Sequence, residues 1–195
     1  MNIGIDIDNV ISNFNEVLLS EYLIHDKELR EKGIINKNAE YIRKGMFDWS
    51  EIEEENFYKE NIERIARKLD LIEGAKEYIN KLHEDGNTIY IITGRDNGEY
   101  LETYTMTKKW LDSHNIYYDN LILTNAYNKH EKSEKCIENN IDVIHYFRPF
   151  LPQNSDPKRI EEILNFVNKY TDVSVTTGLA GGIVSQIVAD VIVLL

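Results

Sequence analysis

Two aspartates separated by one residue, Asp6 and Asp8, close the first apolar stretch of the chain. In an extended strand successive side chains alternate, so carboxylates two positions apart face the same side. Such a pair can seat Mg²⁺, a hard cation that takes oxygen ligands and keeps several waters. It can also divide the work of phosphate-ester hydrolysis. One carboxylate attacks phosphorus and becomes an aspartyl-phosphate; the other protonates the leaving oxygen and then activates water. Asp6 is the candidate nucleophile and Asp8 the candidate acid/base, both as metal ligands. The plainer alternative is a solvated strand end carrying two acids. Further on, Thr93-Gly94 ends a second apolar stretch. A hydroxyl and the next backbone N–H groups at such a turn can hold phosphate oxygens, and glycine permits close approach of the backbone. The alternative is an ordinary strand-to-helix turn with a capping Thr. Lys132, ahead of a short helical stretch, can pair with phosphate as a point charge; the alternative is a surface lysine among other lysines.

The elements that must position these groups follow from periodicity. Residues 2–8 alternate around Ile3, Ile5 and Ile7 and predict a strand. Residues 14–22 place Phe14, Val17, Leu18 and Tyr22 on one helical face. Residues 26–69 are charged and helix-prone, with aromatic residues at Phe47, Trp49, Phe57 and Tyr58. Ala75, Tyr78, Ile79 and Leu82 predict a helix that stops near Gly86. A β-branched strand follows over 88–92. Leu101, Tyr104, Lys108 and Leu111 mark another helix, 121–123 a short strand, 133–139 a short helix and 141–147 a strand. Strands separated by helices predict βαβ units and a parallel sheet. Asp156-Pro157 is a helix start, followed by an apolar face at Ile160, Ile163, Leu164 and Val167.

The formal net charge of −12 over 195 residues repels a nucleic-acid polymer, while a small phosphate ester is compatible with a few local cations. Cys136 is the single cysteine, which excludes an internal disulfide and a cysteine-based zinc cluster and fits a reducing cytoplasm. The N-terminus, MNIGIDIDNV, lacks the basic and long apolar regions of a secretory signal. Residues 173–189 carry no charge and form a short apolar tail, diluted by Thr, Ser, Gln and Gly; a buried strand-and-helix tail is expected ahead of a membrane span. The five histidines show no ligand spacing.

The order of the motifs carries more than any one of them. An acid pair in DIDNVI, then FDWSE with FYKE, EGAKEYINKL, ITGR and HEKSEKCIENNID resembles the phosphatases of the haloacid dehalogenase (HAD) superfamily over about residues 1–144. Within it the pattern is most similar to bacterial nucleotidases related to the cytosolic 5′(3′)-deoxyribonucleotidases. The resemblance implies an α/β, Rossmann-like core with a parallel sheet, formed by 1–14 and 72–150, and an α-helical cap over 15–71. It leaves 151–195 as an atypical C-terminal segment. It implies Asp6 as nucleophile, Asp8 as acid/base, Thr93 and Gly94 with Lys132 as the phosphate-binding set, and Mg²⁺ as cofactor. The implied activity is that of a cytoplasmic phosphomonoesterase whose substrate is a small phosphorylated molecule, a nucleoside monophosphate first. Phe47, Trp49, Phe57 and Tyr58 in the cap could stack on a base, Trp49 and Phe47 first; the alternative is cap core.

The chain departs from the family at the fourth motif, an acidic pair ending the strand after the lysine. That position falls on Tyr146 and Phe147, neither of which ligates Mg²⁺ well. A divergent end, a fusion or a frameshift would account for it, as would a third acid placed elsewhere, such as Asp96 or Asp156. The alternative function is an impaired HAD-like protein that binds a ligand or partner without turnover.

Overall fold

The computed structural model describes residues 1–39, 41–96, 98–128, 130–145 and 191–192. The sheet that holds it together is built on β1 (Asn2–Ile5), flanked in parallel by β2 (Thr88–Thr93) and β4 (Val143–His145). β3 (Asn120–Leu123) extends the sheet in parallel beyond β2, and β5 (Val191–Ile192) pairs antiparallel with β4, giving the order β3-β2-β1-β4-β5. A parallel sheet is covered on both faces, and its strands are correspondingly apolar: Ile3, Ile5, Ile89, Ile91 and Ile92 are all buried. Gly4 lets the centre close up. A Cβ there would lie 3.2–3.3 Å from side-chain atoms of Ile92, Ile141 and Ile144.

Helices α3 (Ala75–Glu84), α4 (Thr103–Ser113) and α5 (Glu131–Glu138) make the crossovers between strands. Parallel strands require such connections. α3 turns its buried Ala75 and Ile79, and α4 its buried Met106, Trp110 and Leu111, inward. Trp110 Nε1 donates to the Leu69 carbonyl at 2.8 Å, so the ring serves both the core and the chain returning from the insertion.

That insertion follows β1 and contains α1 (Phe14–Leu29) and α2 (Glu51–Arg67). The stretch between them, expected to be helix-prone, is instead a loop, folded back on itself where Ile35 and Asn36 N–H both donate to the Met46 carbonyl. α2 starts at Ser50 with a reciprocal cap. The Ser50 hydroxyl accepts from Glu53 N–H, and the Glu53 carboxylate accepts from Ser50 N–H at 2.7 Å. Acids in its first turn and Arg64 and Arg67 in its last complement the helix dipole.

Three boundaries differ from expectation for local reasons. β1 ends at Ile5, because the Ile7 carbonyl accepts N–H bonds from Val10, Ile11 and Ser12 and Asn9 takes a left-handed φ of 63°. Asp6 and Asp8 therefore sit on a tight turn beyond the strand, and strand alternation does not explain how they meet. α4 begins at Thr103, leaving Leu101 almost fully exposed, and α5 begins two residues early, at Glu131. The helix expected from 156, the apolar tail over 173–189 and the fourth-motif positions 146 and 147 lie outside the described residues. Among the described residues no helix is long and apolar enough to cross a membrane.

Candidate active site

The carboxyl ends of β1 and β2 lie side by side, since Ile5 pairs with Ile91 in register. Open α/β sheets place their ligands in the crevice outside these ends. Asp6 is the first residue beyond β1 and is only 8% exposed. Its Oδ1 accepts the Ile7 N–H at 2.8 Å, and its Oδ2 accepts Lys132 Nζ at 2.6 Å. Lys132 comes from the first turn of α5, 126 residues away in sequence, so the fold brings these two candidates into direct contact. The start of α5 is itself fixed by Glu131, whose carboxylate accepts Asn125 N–H at 3.2 Å.

Asp8 is held differently. Its two oxygens accept a fork from Arg95: Nε donates to Oδ2 at 3.0 Å, and Nη2 donates to Oδ1. Ser12 Oγ adds a long contact to Oδ1 at 3.4 Å. Arg95 is 1% exposed and is among the largest fully buried side chains. Burial works against its charge, but the field of Asp8, then the hydrogen bonds to it, hold the guanidinium above its ordinary pKa, with Asp6 contributing. An unpaired arginine could not be buried at such a place; a bidentate carboxylate makes it tolerable.

Thr93 is the last residue of β2 and fully buried. Among the described residues its hydroxyl has no hydrogen-bond partner, and the same is true of Arg95 Nη1. Gly94 meets Ala126, where an added Cβ would lie 3.1 Å from the Ala126 side chain. Its observed use is thus to let the β2 turn pack against the segment after β3, where Arg95 bridges Asn125 and Asp96 N–H donates to the Thr124 carbonyl at 3.0 Å.

Two tyrosines face this cluster from opposite bodies. Tyr58 comes from α2, and Tyr100 follows the β2 turn. Burial, reinforced by the charge of Asp8, pushes the Tyr100 phenol well up. Burial, then Tyr100, does the same to Tyr58. Both stay protonated at neutral pH. Arg43, from the loop between α1 and α2, lies 4.4 Å over the Tyr58 ring, donates to Tyr127 Oη at 3.3 Å and approaches Glu99 at 3.8 Å. It ties the insertion to the loops after β2 and β3.

Phe47 and Trp49 do not offer a face to a ligand. Phe47 is 2% and Trp49 9% exposed. Trp49 stacks on Tyr22 at 4.5 Å between centroids, meets Phe57 edge-on and donates from Nε1 to Asp26 at 2.8 Å. They form the interior of the insertion, and Tyr58 is the aromatic residue that reaches the acids. Arg95 and Tyr100 were not among the expected residues, and Tyr58 was expected only as one of four cap aromatics that could stack on a base. Arg95 was visible in ITGR, where only the Thr and Gly were weighed. The tyrosines carry no spacing signal, being brought in by tertiary packing.

Mg²⁺ takes oxygen ligands in near-octahedral geometry and is commonly held by one or two carboxylates, with water and substrate phosphate completing the shell. After its bonds to Lys132 and the Ile7 N–H, Asp6 keeps a lone pair on each oxygen. Asp8 has both oxygens engaged by Arg95 and is the weaker of the two expected ligands. Asp96 is exposed and lines a surface groove with Glu102 and Thr105, while Asp156 lies outside the described residues. Among the described residues no three of His, Cys, Asp and Glu converge. The donor set fits Mg²⁺ as a one-carboxylate site centred on Asp6.

Comparison with known proteins places this geometry in context. A family model described as 5′ nucleotidase, deoxy (pyrimidine), cytosolic type C protein matches residues 1–145. No curated protein matches the chain. Among solved structures, the chain is similar to a haloacid dehalogenase-like hydrolase from Bacteroides fragilis, with 13% identity and a TM-score of 0.49, covering 71% of this chain and 72% of that one. It is also similar to a hydrolase from Streptococcus pneumoniae TIGR4, with 13% identity and a TM-score of 0.45 over 87% and 76% of the two chains. A class C acid phosphatase from Bacillus anthracis with tungstate bound aligns with 13% identity and a TM-score of 0.42 over 86% and 60%. The family match covers the acid pair, the Thr-Gly turn, the lysine and the whole insertion, and the chain belongs to the cytosolic type C 5′ nucleotidase family of phosphoric monoester hydrolases.

Proposed function

We propose that the chain is a Mg²⁺-dependent phosphomonoesterase acting on a nucleoside monophosphate through an aspartyl-phosphate on Asp6. The observation that carries this reading is Asp6 itself: a nearly buried carboxylate at a strand end, 2.6 Å from Lys132 Nζ and beside a second acid held by arginine.

In the proposed cycle, Asp6 Oδ2 turns from Lys132 to phosphorus, forming a P–O bond as the ester P–O bond breaks. Lys132 then pairs with an equatorial phosphate oxygen. The Thr93 hydroxyl, buried without a partner, donates to another. Charge spread over those oxygens is where catalysis of phosphoryl transfer chiefly lies. Asp8 first takes up a proton from solvent on the oxygen it frees, delivers it to the leaving oxygen, and as a carboxylate again takes one from the water that hydrolyses the acyl phosphate. To do so it must release one of its two Arg95 bonds. Mg²⁺, when bound through Asp6, supplies further neutralisation of the phosphate. Tyr58 and Tyr100 exclude bulk water from the Asp8 side and present hydroxyl donors there. We further propose that 15–71 acts as the cap, that 1–14 with 72–150 acts as the core, and that the protein works in the cytoplasm.

Phosphate release from a panel of nucleoside monophosphates and small phosphate esters, with Mg²⁺ and with EDTA, tests the reading. The expected result is Mg²⁺-dependent release lost in Asp6→Asn. Release that survives EDTA or Asp6→Asn would sink it. A second reading, an impaired protein that binds without turnover, is favoured by one observation: the fourth-motif position holds Tyr146 and Phe147, and no third acid joins Asp6 and Asp8 among the described residues. No release from any ester, with ligand binding retained, would select it.

A further inference from the structure

Among the described residues, two buried polar groups within one turn at the end of β2, Thr93 Oγ1 and Arg95 Nη1, have no hydrogen-bond partner. Buried polar atoms are nearly always hydrogen-bonded, and each exception calls for an explanation, an absent ligand among them. The hydroxyl is already accounted for by the phosphate-binding expectation. The guanidinium nitrogen is not. A guanidinium carries five N–H donors in a rigid plane. Here one edge, Nε and Nη2, is committed to Asp8, and the remaining terminus is removed from water with no acceptor among the described residues.

The arrangement is costly unless something anionic completes it. Burying Arg95 to 1% exposure while satisfying two of its three nitrogens leaves a charged donor desolvated. Lys132 pairs with Asp6 and Arg95 with Asp8 beyond the end of β1, and Thr93 ends β2 beside it, so cations and a hydroxyl neighbour one another at the strand ends, a set suited to an anion with several oxygens.

We propose that Arg95 is a direct phosphate-binding residue, its Nη1 donating to a non-bridging oxygen of the substrate phosphate while its other edge positions Asp8. The proposal rests on the phosphate-ester reading of the site and adds a ligand to it. One side chain would thereby couple occupancy to alignment: an oxygen drawn to Nη1 sits at a fixed distance and angle from the carboxylate held by Nε and Nη2. The rigid plane makes this possible, and lysine, with a single point charge, cannot do both at once.

The test is the affinity for inorganic phosphate, by titration calorimetry in Mg²⁺ buffer, of four proteins: wild type, Arg95→Lys, Asp8→Asn, and the double variant. Thermal melts of each report folding. The expected result is that Arg95→Lys weakens phosphate binding about tenfold or more, the loss of one charge-assisted hydrogen bond. The same factor is expected in the Asp8→Asn background. Loss in the wild-type background but none in Asp8→Asn would mean that Arg95 acts only through Asp8, and would overturn the proposal. So would unchanged affinity in both backgrounds, or no phosphate binding by the wild type. If Arg95→Lys does not fold, ¹⁵N-arginine spectra of the wild type decide the matter: phosphate must shift the buried guanidinium resonance that Asp8→Asn also perturbs, and an unmoved resonance overturns the assignment. Ester turnover is scored separately. Arg95-dependent phosphate binding without turnover supports the assignment while sinking the phosphatase reading.

Discussion

Asp26 is buried and Asp8 is 24% exposed at its side chain, and the same fold holds the two acids by opposite means. Asp26, 1% exposed in the insertion, accepts Trp49 Nε1 at 2.8 Å and Gly33 N–H at 2.6 Å. Burial works to raise its pKa, but the Trp49 bond and then the Gly33 bond outweigh it and keep the carboxyl below its ordinary value. Those donors are neutral and are locked by rings packed around them: Tyr22, Phe47, Trp49 and Phe57. Asp8 is held by a cation whose own third nitrogen, like the neighbouring Thr93 hydroxyl, has no partner among the described residues. An acid that fastens structure saturates itself with neighbours that cannot leave. An acid placed for chemistry shares a charged partner that a substrate can draw upon. The contrast matters because both are single aspartates near aromatic residues, and composition alone does not separate them.

The comparison breaks first at the nucleophile. Asp6→Asn removes the attacking oxygen's charge but keeps an acceptor for the Ile7 N–H, so the fold should persist while phosphate release falls by about 10³-fold or more. Steady-state assays beside melting curves check this. A variant that loses activity only in proportion to its stability would place Asp6 with Asp26 as a structural acid. In the insertion the opposite pattern is expected. Trp49→Phe keeps the ring and drops the donor to Asp26, leaving a buried carboxylate short of one bond, at a cost of about 1–3 kcal/mol. The melting temperature should fall while KM for the best substrate stays within about threefold, roughly the 0.6 kcal/mol scale of a packing adjustment. A large rise in KM at unchanged stability would return Trp49 to the substrate.

How far this was legible in the sequence can be judged from the same residues. Asp6, Asp8 and Thr93 were marked as candidates because charged or hydroxyl residues at apolar strand ends stand out against their neighbours, and Lys132 because it precedes a helix at the place the family resemblance implies. The α/β alternation was legible because each strand and helix carries its own hydrophobic period, and the parallel sheet follows from it. The turn at Ile7–Ser12 was not, since three N–H groups converging on one carbonyl leave no periodic trace. Nor was the loop between α1 and α2: its charged composition suits helix, and the pairing of Ile35 and Asn36 with Met46 is a tertiary choice. Arg95 was hidden for a different reason. An arginine after a Thr-Gly turn looks solvated, and only a partner 87 residues earlier in the chain makes its burial possible.

A smaller effect tests whether the insertion's helices are independent of the chemistry. Ser50→Ala removes one side of the reciprocal cap on α2, and caps of this kind contribute about 1 kcal/mol. Stability should fall by that amount with kcat unchanged, as read by denaturant titration and turnover. A disproportionate loss of kcat would mean that the start of α2 also sets the position of Tyr58 over Asp8.

The smallest expected effect lies at Glu54, one of the groups in the insertion that depart from the saturated pattern of Asp26. Its Oε2 accepts Lys44 N–H at 2.7 Å, but Oε1 is buried without a partner among the described residues. Burial pushes its carboxyl up from 4.5, only partly offset by the Lys44 bond and by Arg43. A carboxyl with a raised folded pKa binds its proton more tightly folded than unfolded. Its contribution is therefore full below 4.5 and is lost as pH rises through the raised value. Glu54→Gln keeps an acceptor for Lys44 and cannot ionise. Relative to the wild type, its melting temperature should improve steadily as pH is raised from the acid side through this window and level off above it. Parallel curves for the two proteins would show that Glu54 is satisfied in solution as fully as Asp26.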